Sequence, residues 1–159
     1  MRLEYYRLVA FTCLGNVSRS IRGINLSLEI EFMEPQALLI MRVVGDASDP
    51  AIIQNVADDY GRALQDPRFK QSMNVVWDIG NVHLVAVSVS LIRQLSVLLR
   101  GFSQQRGANY RAALVTNRGA DYQLLRIYTS ILKLIGQLQI KVFRSMEDAI
   151  DWTQQAPSQ

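Results

Sequence analysis

Polar residues that could do chemistry recur directly after the apolar segments of this chain. They are Asp46, Ser48, Asp78, Asn81, His83, Thr116, Asn117, Arg118, Arg144 and Ser145. If the apolar segments are parallel strands, these side chains collect at the carboxyl edge of one sheet, where ligands of α/β domains bind at a reversal of strand order. We predict that five of them line the loops that contact a ligand or partner. These five are Asp46, Asp78, Asn81, Asn117 and Arg118.

Several of these residues also have a purely structural interpretation. Asp78 and Asn81 can bond loop amides at the end of a strand, and Arg118 can be a solvated loop residue instead of an anion clamp. His83 is the single histidine, and no cysteine or suitably spaced acid lies near it in the sequence. We therefore predict no metal site.

The sequence lacks the motifs that are typical of several well-known kinds of catalytic site. It contains no glycine-rich phosphate loop after a strand, no Gly-x-Ser-x-Gly nucleophile elbow and no His-Glu-x-x-His zinc motif. We therefore predict a protein that is not an enzyme and needs no cofactor. An enzyme that uses Asp78 with Asn117 and Arg118 is the alternative to this prediction.

The length and composition predict one compact domain. A chain of 159 residues buries roughly 70% of its unfolded surface, so its core needs no metal or disulfide. Cys13 is the single cysteine and cannot form an internal bridge, which favours a reducing, cytoplasmic location. No apolar run reaches the roughly 20 residues of a membrane-spanning helix, so no integral membrane segment is predicted.

The net charge of +3 comes from the first residues of the chain. Residues 1–23 contain four arginines and one glutamate. Removing these from the 17 basic and 14 acidic residues of the whole chain leaves 13 of each in residues 24–159. Because that part has no excess positive charge, we predict no nucleic-acid partner. Residues 1–23 are a basic tail: a flexible arm, an extra docked element or an extension from a mis-chosen start codon.

Hydrophobic periodicity predicts the elements of the first half. A half-buried strand at 24–33 is followed by a turn at 34–36 and an antiparallel strand at 37–44. Asp49 is predicted to cap a helix that begins at Pro50. A buried strand at 73–79 then leads to a helix over 88–105.

The second half continues the same alternation of strands and helices. The pattern predicts a strand at 110–116, a helix over 121–136 capped by Asp121, a strand at 139–143 and a short helix begun by Ser145. The fold class is therefore α/β, with a mostly parallel central sheet of about five strands and about four helices on its faces. Its first strand is antiparallel, in a hairpin. The domain spans 24–154, and 155–159 is expected to fray.

Residues 75–82, Val-Val-Trp-Asp-Ile-Gly-Asn-Val, resemble the strand and turn of STAS domains, the anti-sigma-factor-antagonist-like fold. The family pattern is two hydrophobic residues, any residue, Asp-Leu-Ser, any residue and Val. The element order and the closing segment 142–152 are also similar, so the resemblance covers roughly residues 36–153. It is closest to a divergent bacterial branch described as STAS/CRAL-TRIO-like. It implies a regulatory module that binds proteins.

The resemblance also implies a modification site at Ser88. The family's Asp-Ser-Ser-Gly motif falls on residues 86–89, Ala-Val-Ser-Val, where Ser88 matches the second serine and the acid and glycine are absent. A phosphate there would be stabilised by the helix N-terminus and would alter a docking surface. Ser88 can equally be the N-cap of helix 88–105.

Two function classes follow from these observations. The first is a non-enzymatic interaction or regulatory module that binds another protein or a second copy of itself through helix 88–105 and the adjoining loop. The alternative is a carrier of a small apolar ligand or lipid, held between the sheet and the apolar face of helix 88–105 or 121–136.

Overall fold

The computed structural model describes residues 28–44, 50–84, 89–135 and 139–155, which form a five-stranded sheet with helices on both faces. The strands are β1 (Leu28–Met33), β2 (Leu38–Val43), β3 (Asn74–Asp78), β4 (Arg111–Val115) and β5 (Gln139–Phe143). The helices are α1 (Pro50–Gln65), α2 (Val89–Arg100), α3 (Ser103–Arg106), α4 (Gly119–Ile135) and α5 (Met146–Gln154). β1 is antiparallel to β2, and β2 to β5 are parallel. The predicted fold class is confirmed.

The first face of the sheet is covered by α1 and α2. Alternate strand residues point to this face because successive side chains of a strand lie on opposite sides. They pack against Val56, Tyr60 and Leu64 of α1, which are all buried. The strand residues of this cluster are Leu28, Leu39, Met41, Val43, Val75, Ala112 and Ile140. The half-buried residues from α2 and the turn after it are Leu95, Leu98, Leu99 and Phe102.

The second face of the sheet is covered by α5. The buried strand residues there are Leu38, Ile40, Val76, Ala113, Val115 and Phe143. Ala149 is fully buried against them, with Ile150 and Trp152 packed alongside. Ser145 begins this helix as predicted: its hydroxyl oxygen accepts a hydrogen bond from the Asp148 amide at 3.1 Å.

The predicted helix over 88–105 is two helices in the structure. α2 ends at Arg100, and the amides of Gly101 and Phe102 bond the carbonyls three residues earlier, as in a tightened last turn. The chain restarts as α3, and the Phe102 ring between them packs edge-on against Tyr60 at 5.5 Å. A Cβ at Gly61 would lie 2.9 Å from this ring. The break therefore seats Phe102 against α1.

Two smaller predictions need correction or refinement. α4 begins at Gly119, so Asp121 is a buried residue of its first turn and not the cap before it. The turn between β1 and β2 is a short 3-10 helix, Glu34–Gln36, closed by Ala37 in the left-handed region at φ 47°. No helix in the described ranges combines the length and apolarity needed to cross a membrane.

Candidate functional site

The predicted site residues that the structure describes gather at the carboxyl edge of β3 and β4. Strand order runs β1-β2-β3-β4-β5 without a reversal among the described strands. The crevice that a reversal would create is therefore absent between them, and that premise of the site prediction is wrong. Asp46, Ser48 and Ser88 lie outside the described residues. Arg144 and Ser145 follow β5, and the other candidates stand in the turns after β3 and β4.

Asp78 ends β3 and is held from two sides. Its Oδ1 accepts a hydrogen bond from the Gly80 amide at 3.1 Å, which closes the turn after the strand. Its Oδ2 lies 3.7 Å from Nε of Arg42 on β2, and Arg42 Nη1 lies 3.5 Å from Glu31 on β1. The structural interpretation of Asp78 is confirmed, because its carboxylate fixes the turn and closes a row of charges across three strands.

Arg118 joins the two turns that end β3 and β4. Its Nε donates to the Gly80 carbonyl at 3.2 Å, and its Nη1 lies 2.5 Å and 2.7 Å from the two ring nitrogens of His83. A neutral imidazole has one acceptor nitrogen, so Nη1 donates to one of the two. The amide of Arg118 also donates to the hydroxyl of buried Thr116 at 3.4 Å. Arg118 is thus a half-buried connector of the two turns.

At this edge His83 faces a guanidinium group and not a carboxylate. Histidine acts as a base when a carboxylate orients it, whereas the described partner of His83 is the Arg118 guanidinium. Asn81 and Asn117 are exposed at the rim. Among the described residues, no group of three or more His, Cys, Asp and Glu side chains could hold a metal ion. The donors of this edge can bind an anion or a polar partner surface.

Two buried arginines are among the polar residues that the sequence did not reveal. Arg106 on α3 is 1% exposed, and Arg111 at the start of β4 is 7% exposed. The Arg111 Nη1 donates to the carbonyls of Trp152, at 2.8 Å, and Gln155, and its Nε donates to Gln139 at 3.1 Å. A charge inside an otherwise apolar strand was the available signal for Arg111.

A second surface of note lies on α2 and α4. The hydroxyls of Ser96 and Tyr128 bond each other, which places the two helices side by side. The neighbours of these residues in sequence, Val97 and Ile127, are 60% and 64% exposed and are the exposed large hydrophobic residues of the described chain. We call the exposed residues of α2 and α4 around this pair the α2–α4 surface.

A scan against protein-family models and searches of curated proteins and of solved structures find no match to this chain.

Proposed function

We propose that this protein is a non-enzymatic interaction module of the STAS-like type, and that its α2–α4 surface binds a different protein whose complementary surface is apolar at the centre and acidic at the rim. The observation that carries the proposal is the exposure of Val97 and Ile127 beside the Ser96–Tyr128 contact. Exposed apolar side chains grouped on adjacent elements are typical of binding surfaces.

The spacing of residues on α2 supports one continuous contact. Arg93, Val97 and Arg100 are exposed and stand at positions i, i+4 and i+7, which lie on one side of a helix. On α4, Gln123, Ile127 and Ser130 have the same spacing and are exposed as well. Each helix thus presents one aliphatic side chain at the centre of a polar stripe.

The positive charge of the α2–α4 surface favours a partner with acidic residues. Arg93, Arg100 and Arg126 are exposed on it, and the one acid within α2 and α4, Asp121, is buried. Two copies of this surface would place like charges against each other, which disfavours a symmetric dimer through it. A partner with acidic residues around an apolar centre gains both burial and charge complementarity.

The test compares two double variants in affinity capture from cells, followed by calorimetry with the purified captured protein. In Val97→Ser/Ile127→Ser the centre of the surface loses its aliphatic groups, whereas Gln104→Ser/Gln105→Ser changes exposed polar residues of α3, outside this surface, and serves as the control. We expect the first variant to weaken binding about tenfold or more, because burying a Val or Ile side chain contributes about 1.5–3 kcal/mol. The control should bind like the wild type.

A second pair of substitutions tests how much the arginine charges contribute to binding. Arg93→Gln/Arg100→Gln should weaken the same complex and reduce its dependence on salt. Equal binding by all variants would contradict the proposal. So would a wild-type homodimer that Val97→Ser/Ile127→Ser dissociates, or binding to phosphatidylserine vesicles in place of a protein.

A further inference from the structure

Arg106 is a buried cation whose hydrogen-bonding capacity is largely unused. Its Nη2 donates to the carbonyl of Met73 at 2.5 Å. The buried side-chain nitrogen and oxygen atoms that lack a hydrogen-bond partner among the described residues are its Nε and Nη1. Buried polar atoms are nearly always bonded, so two orphans on one guanidinium indicate an absent partner.

No acidic side chain in the described ranges pairs with Arg106. Its guanidinium carbon lies 4.0 Å from the centre of the Tyr110 ring and 5.5 Å from that of Phe69, so two aromatic faces supply part of the missing negative potential. Tyr60 cannot supply the rest. Burial raises the pKa of its hydroxyl to about 12, against the opposing effect of the Arg106 charge, so this hydroxyl is neutral at physiological pH.

Phe69 and Tyr110 lie in two loops, residues 66–73 and 107–110, which hydrogen bonds hold together. The Ser72 amide donates to the Arg106 carbonyl at 3.0 Å, and the Ser72 hydroxyl donates to the Ala108 carbonyl at 2.6 Å. Ser72, Gly107 and Asn109 all have positive φ, at 66°, 79° and 64°. Left-handed conformations of residues other than glycine are costly and concentrate at ligand clamps and switch regions.

We propose that Arg106 is the base of a binding site for a monocarboxylate with an apolar body, and that loops 66–73 and 107–110 close over it. One guanidinium balances one negative charge, whereas a phosphate dianion needs more cations than Arg106 alone provides. The aromatic rings around it, those of Phe69 and Tyr110, suit an apolar body. The described conformation is the closed one, because Nε and Nη1 are sealed from solvent.

This site is separate from the α2–α4 surface and belongs to the opposite end of the strands from Asp78 and Arg118. Met73 and Tyr110 immediately precede β3 and β4, whereas the candidate loops follow these strands. The proposed site differs from the pocket that the sequence predicted between the sheet and the apolar face of helix 88–105 or 121–136. It lies at the amino edge of the sheet, beside α3.

The first experiment uses the wild-type protein and observes the Nε–H group of Arg106 by ¹⁵N–¹H NMR. Sodium benzoate and sodium octanoate are titrated at constant ionic strength, with benzyl alcohol and sodium phosphate as controls. We expect a saturable shift of the Arg106 signal with one or both carboxylates and none with either control. The two carboxylates distinguish an aromatic ligand body from a flexible chain.

A thermal measurement then tests the role of the charge. At ten times the dissociation constant of the active carboxylate, linkage predicts a rise in wild-type Tm of about 3–6 °C. Arg106→Met should abolish this rise, whereas Arg144→Met, at an exposed arginine outside both proposed sites, should keep it. If Arg106→Met does not fold, the NMR titration decides alone.

Three results would overturn the proposal. The first is an Arg106 signal that moves with neither carboxylate, which would mean that the aromatic rings and Met73 alone accommodate the charge. The second is an equal response to benzyl alcohol, which would indicate an apolar cavity without charge recognition. The third is a response to phosphate in place of the carboxylates. None of these results bears on the protein-binding role of Val97 and Ile127.

Discussion

At the scale of single residues, the sequence predicts where a residue lies in the fold better than it predicts which residues its side chain contacts. Asp78 was placed correctly at a strand end and bonded to a loop amide, since the short side chain of aspartate readily bonds a backbone amide two residues further on. The pairing of Arg118 with His83 could not be predicted, because it joins residues 35 apart through two separate turns. Arg106 was missed because arginine is ordinarily a surface residue.

The structure predicts that Arg118→Ala loosens the turn after β3. The variant loses the donor to the Gly80 carbonyl and the contact with His83, so we expect amide hydrogen exchange of Gly80 and Val82 to accelerate about tenfold. Global stability should fall by only about 1 kcal/mol, the usual contribution of a hydrogen bond.

Arg100→Ala is the matched control for this prediction, since Arg100 is exposed at the end of α2. It should leave exchange in the turn unchanged. Equal exchange rates at Gly80 in Arg118→Ala and wild type would show that Asp78 alone holds the turn.

At the scale of elements, α5 shows which helix signals are local. Its beginning was predicted in full, because Ser145 as N-cap and the acids Glu147 and Asp148 in the first turn are neighbours in sequence. The side-chain bonds at its end were not predicted. The last carbonyls of this helix are bonded by side chains from the sheet: Asn74 donates to Thr153 at 2.7 Å and Arg111 donates to Trp152 at 2.8 Å.

We expect Arg111→Met to destabilise the protein by about 2–3 kcal/mol. The variant keeps the apolar stem but removes charge-assisted donors to two carbonyls at the end of α5. Such bonds contribute about 1.5–3 kcal/mol each, and the desolvation cost of burying the Arg111 charge, which the variant no longer incurs, offsets part of their sum. Urea unfolding measures the change. Arg144→Met, at an exposed arginine stacked on Tyr122, is the control and should cost under about 1 kcal/mol. Equal stability of both variants would show that the end of α5 needs no clamp.

At the scale of the whole molecule, alternation of strands and helices predicts the sheet but not its strand order. An apolar stripe on a helix reveals that one side is buried without revealing which strand lies beneath it. The order β1-β2-β3-β4-β5 therefore came only from the structure, and with it the assignment of α1 and α2 to one face and α5 to the other. The bounds of β5, 139–143, were predicted because Gly136 and Gln137 interrupt the apolar run before it and the polar Arg144 and Ser145 follow it.

The buried Tyr60 makes the stability of the whole domain sensitive to alkali. Burial raises its pKa from 10.0 to about 12, so above pH 10 the unfolded chain loses a proton that the folded chain keeps. Stability present below pH 10 is therefore lost between pH 10 and about 12, by about 2–3 kcal/mol for this residue.

Urea unfolding of wild type and Tyr60→Phe at pH 9 to 12 checks this prediction. The difference in unfolding free energy between the two proteins should change by about 2–3 kcal/mol across that range, in favour of the variant at high pH. Parallel stability curves would contradict the prediction, since all other groups titrate alike in both proteins.

The sequential strand order also determines how the chain can assemble during synthesis. Each parallel strand joins the edge left by the strand before it, so β1 to β4 can pair while later residues are still being translated. The second face is different. Among the described helices, α5 is the one that covers its apolar residues on β2, β3 and β4, and α5 follows every described strand along the chain. A nascent or truncated chain that stops before Met146 lacks the helix that covers these apolar residues. We therefore expect chaperones and quality-control proteases to bind such a chain.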